Sequence, residues 1–269
     1  MSIEFRELLS LEEFDACVNL QKQVFGFSEI DIISPNILKA LSDKEIPSGI
    51  VLGLFKKNND KQILIGFLIC VGTLLPNSIY GLAFGLHPDY QKNIYGFLFS
   101  QEMYRLCKKK NIRYLYGRYN PFTPDLHKVY HDLFGAYGIE YTVPENSAFN
   151  FNNDKILFKW DTENKNVQKR LAKNFDVGNP EDILKRYCIT KNNNLIDNDK
   201  ILIEIPVCIF SKEYSDKQIK AKHEFRNLLN EYINKRNYFI TNTLDIKEGT
   251  TSKLFYLLEK SNELVGQIL

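Results

Sequence analysis

The sequence predicts an α/β protein. Three observations carry that prediction: β-rich runs and helix-periodic runs alternate along the first half of the chain; two β-rich runs flank the polar turn Lys57-Asn58-Asn59-Asp60; and a strand, helix, strand unit spans 79–119. Such a crossover joins parallel strands with a right-handed turn and puts the ligand crevice at their carboxyl ends.

Residues 11–25 bring Phe14, Cys17, Val18, Gln21 and Val24 to helical spacing, with Ser10 as N-cap and Gly26 as stop. A second, short helix is predicted over 35–41, opened by Pro35. Residues 50–56 and 63–73 read as the two arms of a hairpin, and 79–86 as a third strand ending at His87-Pro88-Asp89. The spacing predicts a long helix over 94–110, a strand over 112–119, a short helix over 125–134 ahead of Gly135, and a closing strand over 155–160. Beyond Trp160 the Asn-rich run 191–200 separates strand-like 186–190 from 201–206. A strongly amphipathic helix follows over 215–236, with Ile219, Phe225, Leu228, Leu229, Tyr232 and Ile233 on one face. Residues 238–245 and 253–259 then flank a hairpin connection at Lys247-Glu248-Gly249-Thr250.

At 269 residues the chain exceeds the usual single-core size of about 100 to 150 residues, so two domains are expected, 1–162 and 163–269. The second is a smaller α+β region that shapes a substrate side or mediates self-association. Hydrophobic residues at 44% and charged residues at 25% are ordinary globular values. Lys plus Arg at 35 against Asp plus Glu at 33 leaves +2, which disfavours nucleic-acid binding. The run Lys108-Lys109-Lys110 reads as a solvated helix end, where cations complement the dipole. Five scattered cysteines without a CxxC pair fit a reducing cytoplasm better than a disulfide framework. Residues 1–6 lack the pattern of a secretory signal, and the apolar run 63–76 is too short to span a bilayer. His127 and His131 share a helix face, but no third ligand is evident, so no metal is expected.

The sharpest local signal is the join Leu86-His87-Pro88-Asp89-Tyr90-Gln91-Lys92-Asn93-Ile94-Tyr95-Gly96-Phe97-Leu98. By itself it reads equally as an ordinary strand-to-helix turn. It also resembles the pattern V-x-P-x-Y-[QR]-x-x-G-x-[GA] of the GNAT acyltransferases, matching at Pro88, Tyr90, Gln91 and Gly96, with Ile94 in place of the first glycine. The stretch ending at Phe25-Gly26, then Gly66-Phe67, Tyr119-Asn120-Pro121-Phe122, Leu133-Phe134-Gly135-Ala136 and Lys159-Trp160-Asp161 stand in an order similar to that of an uncharacterised bacterial GNAT group. That group often carries Ser-His-Met where this chain has Gly81-Leu82-Ala83.

The resemblance implies a mixed, mostly antiparallel sheet with a splayed parallel strand pair and flanking helices, and acetyl-CoA or another acyl-CoA as cosubstrate. In such folds the pantetheine arm pairs with the first splayed strand, here Phe84, Gly85 and Leu86. Backbone N–H groups of the turn and first helical turn, here Gln91, Lys92, Asn93, Ile94, Tyr95 and Gly96, point at the pyrophosphate. Asn120 falls on the cofactor side. A proton donor usually stands four residues before the helix-ending glycine; counting from Gly135 gives His131, with Tyr130 beside it. The implied activity is acyl transfer to a small amine or hydroxyl acceptor. The alternative is a catalytically silent CoA-binding module of the same fold.

Overall fold

The computed structural model describes residues 2–26, 31–58, 61–91, 94–123, 126–144, 153–173, 178–191, 194–206, 215–248 and 251–260. The chain divides into two compact units, Met1–Gly117 and Arg118–Leu269. The division expected between 162 and 163 falls inside the second unit. There, strands from before that point share a sheet with strands near the C-terminus.

The first unit is a meander, β1 (Ile3–Glu7), β2 (Gly49–Asn58), β3 (Lys61–Gly72) and β4 (Ser78–Leu86), paired antiparallel in chain order. β5 (Tyr114–Tyr119) then joins β4 in parallel through Ser78↔Tyr114 to Gly81↔Gly117. The return runs through α3 (Tyr95–Lys109), as a parallel crossover requires. α1 (Leu11–Phe25) starts and stops where its capping residues dictate: Ser10 and Glu13 close a capping box, and Gly26 ends the helix at φ 63°. α2 (Pro35–Leu41) has Ser34 as its cap.

α1 and α2 cover one core, in which Phe14, Cys17, Leu38, Val51, Phe67 and Ile69 are fully or almost fully buried. Around α3, the Phe99 ring meets Phe5 edge-on at 4.9 Å and Phe84 at 5.2 Å. Gly66 permits this packing, because a Cβ there would stand 2.7 Å from the Leu86 side chain and 2.9 Å from Phe99. β1 was not foreseen from sequence, being five residues long and polar at alternate positions.

The second unit orders its strands β7 (Lys155–Asp161), β6 (Tyr137–Thr142), β10 (Tyr238–Glu248), β11 (Thr251–Lys260), β9 (Lys200–Ile205) and β8 (Cys188–Ile189). All pair antiparallel except β8 with β9. β6 and β10 meet at Ile240↔Gly138, where a glycine is needed, since a Cβ would lie 2.9 Å from the Ile240 side chain. Three helices flank this sheet: α4 (Lys165–Leu171), α5 (Pro180–Arg186) and α6 (Asp216–Leu229). The amphipathic helix foreseen over 215–236 appears as α6, capped by Ser215 and Gln218, and continues as a π-helical turn over Asn230–Lys235. The short helix foreseen over 125–134 contains a second π-helical turn, Lys128–Leu133.

The protein is therefore mixed α/β, with largely antiparallel sheets, flanking helices and, among the described residues, one parallel pair in each unit. No helix among the described residues is long and apolar enough to cross a membrane.

Candidate functional site

In the first unit the candidate site is the carboxyl end of β4 and the start of α3. β4 carries a bulge: Ile69 pairs with Ala83 and the next residue, Cys70, with Gly81, so Leu82 is extra. Its side chain is 45% exposed. The parallel pairing with β5 stops at Gly81↔Gly117, while β4 runs on to Leu86 against β3. Phe84, Gly85 and Leu86 thus lie beyond the end of the parallel ladder, and Phe84 and Leu86 help to form the apolar wall around Phe99.

The turn that follows is held from several sides. The His87 N–H donates to the Ile65 carbonyl at 2.9 Å, and Pro88–Tyr90 form a single 3-10 turn in which the His87 ring accepts from the Asp89 N–H at 3.3 Å. Gln91 donates its side-chain amide back to the Leu86 carbonyl at 3.1 Å. Tyr90 receives a hydrogen bond from Lys56 Nζ at 3.1 Å, and its ring lies edge-on to Tyr95 at 5.9 Å. Lys92 and Asn93 lie outside the described residues.

Ile94 sits at φ −62° and ψ −8°, an ordinary right-handed conformation, so the missing glycine causes no backbone strain. It is 53% exposed. A Cβ at Gly96 would meet nothing within 4 Å, so the first turn of α3 has open space beside its backbone. The free N–H groups and positive dipole end of such a turn favour an anion.

In the second unit the structure gives His131 a closed setting. The ring is fully buried. Nδ1 lies 2.7 Å from the Ala136 carbonyl, which can only accept, so Nδ1 carries the proton and Nε2 accepts from the Tyr119 hydroxyl at 2.6 Å. Tyr119 in turn accepts from Tyr256 at 3.1 Å. Burial, opposed by the Ala136 carbonyl, pulls the imidazole down to about 3, and burial pushes both tyrosines up. At neutral pH the ring is uncharged and its one N–H is committed to a carbonyl.

Tyr130, the other donor candidate, is half-buried and stacked between Tyr119 at 5.1 Å and Phe158 at 4.3 Å. Asn120 is almost fully buried, and its side-chain oxygen accepts from the Phe122 N–H at 2.7 Å, which makes it a turn-forming residue. Among the described residues no group of three or more His, Cys, Asp or Glu side chains is placed to hold a metal.

Sequence reasoning missed a buried ion pair in this unit. Arg226 grips Asp154 with two bonds of 2.6 and 2.8 Å, and the Tyr141 hydroxyl adds a third at 2.5 Å. Asp154 and Arg226 are 72 residues apart, and neither stands in a motif.

No family model and no curated protein matches the chain. Among solved structures it is similar to the ribosomal-protein-S18-alanine N-acetyltransferase of Escherichia coli, at 14% identity and TM-score 0.48 over 60% of this chain and 94% of that one. It is also similar to PaiA N-acetyltransferase of Thermoplasma acidophilum in complex with coenzyme A, at 18% identity and TM-score 0.43 over 60% and 99%. Aminoglycoside 6'-acetyltransferase type Ii gives 13% identity and TM-score 0.47 over 61% and 99%. All three neighbours are acetyltransferases.

Proposed function

We propose that this chain is an acyl-CoA-dependent acyltransferase of the GNAT type, acting on a small amine or hydroxyl acceptor, with acetyl-CoA or another acyl-CoA as cosubstrate. The observation that carries the reading is the coincidence, within three residues, of the Leu82 bulge with the end of the β4–β5 ladder, directly before the motif turn and the open first turn of α3. Bulges concentrate next to active sites because they re-aim the backbone. Residues 84–86 would then hold the pantetheine arm, and the turn from Gln91 to Gly96 the pyrophosphate.

In the reaction the acceptor's lone pair attacks the thioester carbonyl carbon, the acceptor's proton passes to a base, and the C–S bond breaks to release thiolate, which takes a proton. A backbone N–H from β4 would stabilise the oxyanion. Of the two donors that the resemblance suggests, His131 is neutral, enclosed and bonded at both nitrogens, which favours Tyr130 as the proposed acid.

The second reading, a silent CoA-binding module, is favoured by the same observation about His131. One experiment separates the readings: CoA release from acetyl-CoA, measured with an amine and alcohol panel, for wild type and Tyr130→Phe. Turnover in wild type with a loss of about a hundredfold or more in kcat for the variant, CoA binding being retained, supports the enzyme with Tyr130 as acid. CoA binding without turnover on any acceptor replaces it with the silent module.

A further inference from the structure

The second unit contains a cavity of about 490 Å³, within the range of about 300 to 1,000 Å³ usual for small-molecule sites. Three cations line it, Arg170, Arg186 and Lys200, together with two carboxylates, Asp182 and Glu259. One carboxylate is already engaged: Glu259 pairs with Lys200 at 2.9 Å.

Arg170 is the fixed part of the site. It is only 5% exposed, and its guanidinium bonds the Asp132 carbonyl oxygen on one side and the Asn242 side chain on the other. Gly135, at φ 71°, lets the Arg170 stem lie against the chain. Arg186 is exposed, with its guanidinium 5.6 Å from the Tyr187 ring. The remaining polar lining is amide and hydroxyl, from Asn166, Asn179, Asn242, Thr241, Tyr137 and Tyr187.

We propose that this cavity binds a small organic monocarboxylate bearing hydroxyl or amide groups. A guanidinium fork matches a carboxylate with two parallel hydrogen bonds. Lys200 faces Glu259 and Arg170 faces the buried Asp132 carboxylate, so Arg186 is the lining cation offered to a ligand's single negative charge. A phosphate ester, carrying about 1.5 to 2 negative charges, would leave excess charge facing Asp182 and Glu259. The amides and the threonine can donate and accept, so they suit hydroxyl and amide groups on the ligand. None of the lining residues is among those proposed to hold CoA, and the test does not depend on acyl transfer.

The test is calorimetric titration of the full chain with gluconate and with hippurate, using hippurate's neutral amide and inorganic phosphate as the contrasting arms. The expected result is saturable binding of at least one carboxylate, none of the neutral amide, and phosphate weaker than the carboxylate. Arg186→Ala, at an exposed position, should leave the melting temperature unchanged and weaken the carboxylate about tenfold or more, with partial recovery in Arg186→Lys. The proposal is overturned by absence of binding for both carboxylates, by phosphate binding as tightly or more so, or by undiminished affinity in Arg186→Glu.

Discussion

Gly135 and Arg170 touch so closely that a Cβ on the glycine would stand 2.6 Å from Arg170 Cδ and 3.0 Å from its Nε. Gly135 also holds φ 71°, a conformation that side chains resist. Gly135→Ala therefore carries both a backbone cost and a steric cost, together about 2 to 4 kcal/mol. Gly178→Ala is the internal control: its φ is 82°, but its nearest neighbour would be Ile183 Cδ1 at an ordinary 3.8 Å. In urea unfolding, Gly135→Ala should lower the midpoint clearly more than Gly178→Ala at equal slope. Equal losses would mean that Arg170 simply moves aside.

His131 predicts an acid limit. Its folded value of about 3 lies below the unfolded value of about 6.5, so between those pH values the unfolded chain binds a proton that the native chain refuses. Stability therefore falls as pH drops through that window, by at most about 1.4 kcal/mol per pH unit from this one group. His131→Leu removes the titrating ring and should flatten the stability profile between pH 6.5 and pH 4, even if it lowers stability at pH 7. A profile as steep as that of wild type would show that His131 does not set it.

The Asp154–Arg226 pair should be costly to break from one side. Asp154 is fully buried and Arg226 nearly so, and Asp154→Ala strands a buried guanidinium. The expected loss is about 3 to 5 kcal/mol. Tyr141→Phe removes only the third hydrogen bond and should cost about 1.5 to 3 kcal/mol. Chemical denaturation of both variants checks the order; a Tyr141→Phe loss equal to that of Asp154→Ala would contradict it.

Gly96 separates ligand from fold. Because nothing lies within 4 Å of its would-be Cβ, Gly96→Phe should leave the melting temperature within a few degrees of wild type. It should fill the open space at the start of α3 and weaken CoA, measured by calorimetry, by at least about tenfold. Undiminished affinity would move the pyrophosphate elsewhere.

Much of the first unit was legible because its helix boundaries are written locally. Ser10 with Glu13, Gly26, and Ser34 before Pro35 fix α1 and α2 at the predicted residues. β6, α4 and α5 were not read. Tyr137–Thr142 has two residues, Glu140 and Thr142, that look like surface, and α4 and α5 have seven residues each, too few for a periodic pattern to stand out. At the candidate site the motif turn was readable, and so was the identity of Ile94, but not its harmlessness, which depends on a φ that sequence does not report. The commitments of His131 were invisible for a different reason: Tyr119 and Tyr256 lie 12 and 125 residues away from it in the chain, and only the fold puts them in one hydrogen-bonded row.

The bulge in β4 makes that strand editable. Removing one residue from a regular strand turns every following side chain to the opposite face. Here the deletion of Leu82 would leave Ile69↔Ala83 and Cys70↔Gly81 as consecutive pairs, with the inward set beyond them untouched. The sheet already holds a straight version of β4 within its own register. A chain shortened by that single residue would keep its core and lose the backbone kink together with the half-exposed Leu82 side chain, and a Leu82→Ala chain would tell the two losses apart.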